Sequence, residues 1–189
     1  MYELRQALEK AAGVHFADAS TLVVDSWKSL EPAPTSVAKA GYGQWLIVKS
    51  SVVCLDSRLA VWRIDKEMYC GGAHGMYSTD FVNCSVADGK VLSFGDIFRG
   101  NAKPALRKAI VEWLSQSEYA SDVASYGDMG SLDVPEVFYF DGQNRIWFVF
   151  QPYEIAPFSA GTIFVPLQIW SIEETLTPYG KNLLRPVEE

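Results

Sequence analysis

Two runs rich in β-branched and aromatic residues, Arg58–Tyr69 and Met76–Val86, flank the segment Cys70-Gly71-Gly72-Ala73-His74-Gly75. Three glycines in five residues mark backbone that turns sharply or lets another group approach closely. Strand-like runs on both sides make that turn the loop of a β-hairpin, which commits the centre of the chain to antiparallel sheet. A second unusual stretch, Gln151-Pro-Tyr-Glu-Ile-Ala-Pro-Phe-Ser-Ala-Gly161, breaks a very apolar strand at Pro152. The two loops are read as a pair.

The rest of the chain fits around them. Trp45–Leu55 precedes the hairpin as a third strand across the Asp56-Ser57 turn, and Asp88-Gly89 closes the third strand of the meander. Leu106, Ala109, Ile110, Trp113 and Leu114 form the apolar stripe of a helix near 101–120, with Asn101 as its N-cap and Pro104 in its first turn. Gly95–Gly100 reads as its irregular approach, and Ser121–Val134 as a loop. Glu136–Phe140 and Arg145–Phe150 make a second hairpin across Asp141–Asn144, followed by a strand at Thr162–Val165. At the N-terminus, residues 2–12 and a stretch from Asp18 or Ser20 to about Leu30 have helical apolar spacing, and Pro32–Gly43 reads as a linker. The expected fold is α+β: a mainly antiparallel sheet, with meander 45–86 and hairpin 136–150, packed with helices. Residues 1–40 are read as an N-terminal helical segment and 41–189 as the α+β domain, or both as one continuous domain.

Composition narrows the function. A net charge of −7 offers no basic stripe for phosphates, which argues against nucleic acid and permits a basic protein partner. No run is long enough for a membrane span, and the N-terminal segment lacks the apolar core of a signal peptide. In a simple meander Cys54 falls opposite Leu59 and Cys84 opposite Trp62, with Cys70 at the loop mouth. No two cysteines then face each other, so all three are expected as thiols.

Catalytic readings are weak on these residues. Cys70, His74 and Cys84 lack the paired spacing of a zinc site, so no metal is expected. Cys70 or Ser78 with His74 and either Asp80 or Glu154 would make a nucleophile system, yet no strand-turn-helix nucleophile motif is present. The ordinary reading of His74 is a hydrogen bond that fixes a tight loop, and of Glu154 a cap on backbone N–H groups or a partner for His74. No phosphate loop or dinucleotide fingerprint occurs, and no cofactor is expected.

Tyr69-Cys-Gly-Gly-Ala-His-Gly75, Asp88-Gly-Lys90, Phe94-Gly-Asp-Ile-Phe98 and Phe148-Val-Phe-Gln-Pro-Tyr-Glu-Ile-Ala-Pro157 with Gly161, in that order, resemble one bacterial family. It is the extracytoplasmic domain of unknown function at the C-terminus of the lysozyme-sensing anti-sigma factor RsiV and in the peptidoglycan deacetylase PdaC. The likeness covers roughly residues 45–170. It implies a cell-envelope module, often exported or lipid-anchored, that binds a protein such as lysozyme or a cell-wall ligand such as a peptidoglycan fragment. It maps the family's motif onto Gly71, Gly72, Ala73, His74, Gly75, Tyr153, Glu154, Pro157 and Gly161. Sigma-factor control and deacetylation do not carry over, because the segments that perform them are not in this sequence. The alternatives are a hydrolase using His74 and Glu154, and an envelope protein whose partner surface lies elsewhere, for instance on 121–134.

Overall fold

A computed structural model of the chain describes Gln6, His15–Phe16, Leu22–Val23 and residues 45–185. His15–Phe16 (β1) and Leu22–Val23 (β2) pair antiparallel. That corrects the helix expected across Leu22 and Val23: a short apolar run with a β-branched residue does not distinguish strand from helix by period alone. Gln6 is helical. The other residues of the two expected N-terminal helices, and the expected linker Pro32–Gly43, lie outside the described residues.

Trp45–Leu55 (β3), Leu59–Tyr69 (β4) and Met76–Ser85 (β5) form an antiparallel meander in the order β3-β4-β5. Phe138–Phe140 (β6), Arg145–Phe150 (β7) and Ile163–Gln168 (β8) form a second antiparallel sheet in the order β6-β7-β8. Within residues 45–185 the α-helices are Phe94–Ile97 (α1), Lys103–Ser115 (α2), Ala120–Tyr126 (α3) and Pro178–Leu183 (α4). The fold is α+β, as the strand and helix patterns predict.

The core lies between the second sheet and α2. Across that sheet Phe138 faces Phe148 and Val165, and Phe140 faces Ile146 and Leu167. These residues alternate with outward ones, so they share one face. Leu106, Ile110 and Leu114 of α2 recur every four residues and are fully buried in the same cluster.

Three local expectations change. The approach to α2 contains a turn of helix, α1, held by Asp96, whose carboxylate accepts from the Ser93 N–H (2.8 Å) and hydroxyl (2.6 Å). Lys90 joins that carboxylate, and these bonds lower the Asp96 pKa to about 2. The N-cap of α2 is Ala102 rather than Asn101, and Pro104 stands in the first turn as expected. The 121–134 segment is not all loop: it holds most of α3 and a 3-10 turn at Met129–Ser131, anchored by buried Val123, Leu132 and Val134.

The two sheets are joined by side-chain amides. Asn83 of β5 is buried; its Nδ2 donates to the Phe138 carbonyl (2.8 Å) and its Oδ1 accepts from the Phe140 N–H (3.3 Å). Gln151, just past β7, does the converse to β5: its Nε2 donates to the Thr79 carbonyl (2.7 Å) and its Oε1 accepts from the Thr79 N–H (3.0 Å). Each carboxamide completes backbone groups as a neighbouring strand would. Phe81, Tyr139 and Trp147 stack beside this seam, with centroids 4.1 Å and 5.8 Å apart. Burial, then the nearby Asp141 carboxylate, push the Tyr139 hydroxyl up to about 12.

The three cysteines are thiols, but their positions differ from the simple meander. Cys54 faces Val61 because the pair closing the first turn is Leu55–Ala60, and Cys84 faces Ala60 because the pair nearest the hairpin loop is Met68–Met76; the register then slips between Cys54 and Val52.

Replacing Asn83 with Ala leaves the Phe138 carbonyl and the Phe140 N–H buried without partners, at an expected cost of about 3 kcal/mol. Urea unfolding followed by circular dichroism measures it. A loss under about 0.5 kcal/mol, the level of an ordinary surface substitution, would contradict the role given to this amide.

Candidate functional site

The meander is anchored at one end only. Leu59, Ala60, Val61 and Ile64 of β4 are buried, whereas Asp65–Tyr69 are only half-buried. That second half, with its neighbours on β3 and β5, extends from the core as a three-stranded arm with the glycine loop at its tip.

The tip needs its glycines. Gly71 and Gly72 hold φ near 102° and 107°, a region that side chains rarely adopt. At Gly75 a Cβ would sit 2.8 Å from the Met68 carbonyl oxygen, so the hairpin closes only with glycine there. Tyr69 Oη donates to the Gly72 carbonyl (2.8 Å). His74 is exposed, and its Nδ1–H donates to the Gly75 carbonyl (2.8 Å).

The second loop leans on this tip. Pro152 and Ala156 are buried, Tyr153 takes a positive φ of 72°, and the Glu154 carboxylate accepts from the Gln151 N–H (2.7 Å). A 3-10 turn over Phe158–Ala160 follows. Its Phe158 ring stacks on His74 (centroids 4.6 Å, 30°), meets Tyr77 edge-on (5.2 Å) and touches Tyr153 (5.4 Å). Phe158 therefore joins the two loops. Among the described residues, no hydrogen bond or ion pair links His74 to Glu154.

Those two side chains also open onto different depressions. His74 and Phe158 line a groove of about 690 Å³ running along the arm, together with Trp45, Lys49, Arg63, Glu67, Tyr77 and Phe164. Glu154 lines a separate cleft of about 470 Å³, with Tyr126, Asp128, Met129 and Leu132. In the groove Asp65 accepts from Arg63 Nε (2.8 Å) and from the Thr79 hydroxyl (2.7 Å), and the Arg63 guanidinium lies 5.6 Å from the Phe164 ring centre. Lys49 and Glu67 pair at 3.6 Å. The Thr162 hydroxyl on the groove wall is buried and has no hydrogen-bond partner among the described residues.

Asp80 is engaged by Lys66 at 2.9 Å. Among the described residues no group of three His, Cys, Asp or Glu side chains is placed to hold a metal ion. The sequence pointed to both loops but not to Phe158, the ring that joins them. Its signal was a large apolar side chain kept in a loop between Pro157 and Gly161. Gly161 holds φ 75°, and a Cβ there would crowd the Tyr77 hydroxyl at 3.3 Å.

A protein family of unknown function, DUF3298, matches residues 95–169. The match takes in α1, α2, the second sheet and the Gln151–Gly161 loop, and leaves out the arm. Two solved structures are similar. One is a member of the DUF3298 family from Bacteroides fragilis, 28% identical, with a TM-score of 0.64 over 75% of this chain and 57% of that one. The other is a DUF3298 family protein from Pseudomonas aeruginosa, 18% identical, with a TM-score of 0.63 over 82% of this chain and 73% of that one. This chain thus spans little more than half the length of the Bacteroides protein. No curated protein matches.

Gly75→Ala is expected to cost about 1–3 kcal/mol, because the Met68 carbonyl that its methyl meets is backbone and cannot step aside. Phe158→Ala should cost about 1–2 kcal/mol through lost ring contacts. Thermal melts of both variants check this, and melting temperatures equal to the parent's would show that the loops do not support each other.

Proposed function

We propose that this chain is a non-enzymatic, extracytoplasmic binding domain of the bacterial cell envelope whose ligand docks on the arm and its two motif loops. The observation that carries this reading is the groove of about 690 Å³ beside the Phe158–His74 contact, walled by aromatic rings and by charged side chains already paired with each other. Aromatic walls with a few convergent polar groups suit recognition. Hydrolysis by His74 and Glu154 finds less support, since both side chains are spent on backbone groups and face different depressions. The resemblance of the glycine and Pro-Tyr-Glu loops to the RsiV and PdaC domain supports an envelope setting. It also favours a protein of lysozyme type, or a peptidoglycan fragment, as ligand. The net charge of −7 suits a basic protein partner. No helix among the described residues is long and apolar enough to cross a membrane.

Isothermal titration with a c-type lysozyme, then with soluble peptidoglycan fragments, at low and moderate salt tests the reading. Saturable binding that persists at moderate salt and weakens at least tenfold in Phe158→Ala is expected for one of the two. Heat that disappears with added salt would reflect only charge attraction. That result, or no heat with either ligand, would overturn the proposal.

A further inference from the structure

The two edges of the meander are treated differently. The free side of β5 is covered by the Gln151 carboxamide, by residues 90–92 and, through Asn83, by β6. The outer side of β3 has no pairing among the described residues. This edge is eleven residues long, roughly twice a usual strand. Trp45, Ile47, Val52, Val53 and Leu55 on it are 37–69% exposed. Edge strands of that length are normally guarded by charges, proline or bulges. Here a single charge, Lys49, and the irregularity at Val52–Cys54 are the only such devices.

We infer that β3 pairs with β3 of a second copy of this chain, antiparallel about a two-fold axis through Ser50, joining two meanders into one continuous sheet. The register identifies the occupant. A two-fold axis normal to the sheet keeps each face with itself, so opposed residues must differ by an even number. An axis through Val48 or Lys49 would set Lys49 against Ile47 or against its own copy, and one through Ser51 would set Ser50 against Val52. The axis through Ser50 instead sets Val48 against Val52 and Lys49 against Ser51, all before the irregularity at Val52–Cys54. Apolar side chains then meet apolar ones, and each Lys49 keeps its own Glu67 at 3.6 Å. Ser50 and Ser51 are exposed, and no strand among the described residues pairs with this edge. One strand edge buries less than the roughly 1,000 Å² of a stable interface, which makes the dimer weak and concentration-dependent.

Sedimentation velocity of the full chain over a wide concentration range provides the test. The sedimentation coefficient of the parent should rise with concentration towards that of a dimer. Ser50→Lys sets two ammonium groups face to face across the axis and should hold the chain as a monomer with its melting temperature unchanged. Ser50→Cys should cross-link under mild oxidation, because opposed Cβ atoms lie about 4.5–5.5 Å apart, and peptide mapping should find the bridge at position 50 in both chains. A parent that stays monomeric at every concentration would overturn the inference. So would association that survives Ser50→Lys, or a Ser57→Cys control that cross-links as readily as Ser50→Cys.

Discussion

Two carboxamides hold this fold together. The two sheets belong to separate parts of the chain, and no backbone ladder runs from β5 to β6. Asn83 and Gln151 supply the missing pairings from their side chains, each offering one donor and one acceptor to a backbone edge on the other sheet. A buried amide of this kind is favourable only when fully satisfied, because an unmet N–H or carbonyl costs more than the bond contributes. The seam therefore has one workable geometry. The Phe81–Tyr139–Trp147 stack is set by it, and Asp141 holds the far end. Burial pushes the Asp141 carboxyl pKa up, but hydrogen bonds from the Trp147 indole, the Gln143 N–H and the Arg145 guanidinium outweigh it and keep the pKa below the usual range.

The same seam positions the candidate site. Gln151 fixes the start of the second loop against Thr79 on the arm. The chain then turns under Glu154 and returns through Phe158 to His74 and Tyr77, close to where Gln151 began. The surface around the groove is thus composite. It takes its rings from an arm that reaches beyond the core and from a loop that belongs to it, and neither part alone would form it. The DUF3298 match covers the loop and stops short of the arm, so most of the groove wall lies outside the matched segment, and Phe158, Thr162 and Phe164 are its part within it.

Much of this was legible in the sequence. Strand alternation, the glycine loop, Asp141–Asn144 and the stripe of α2 point to the α+β class, and the glycines and prolines of the two motif loops mark them as a pair. What escaped depends on distance along the chain. Asn83 looks like one polar residue in a strand, and only its partner 55 residues away shows why it is there. Gln151 reaches across 72 residues. The register slip beside Cys54 was invisible because a bulge has no composition of its own. Leu22 and Val23 misled because their spacing fits a helix as well as a strand. The helix within 121–134 was missed because Ser121, Asp122 and Ser125 dominate its surface and glycines follow it at 127 and 130, while the single buried Val123 carries its anchoring.

Native-state amide hydrogen exchange tests the seam most directly. The N–H groups of Thr79 and Phe140 have side-chain oxygens as their acceptors. If those amides complete the structure, both hydrogens should exchange as slowly as the central amides of β4 and β7, through opening of the whole domain. Exchange at the fast rate of an open strand edge, with β4 and β7 still protected, would mean that the two sheets are merely adjacent, and the account of how the groove is positioned would fail.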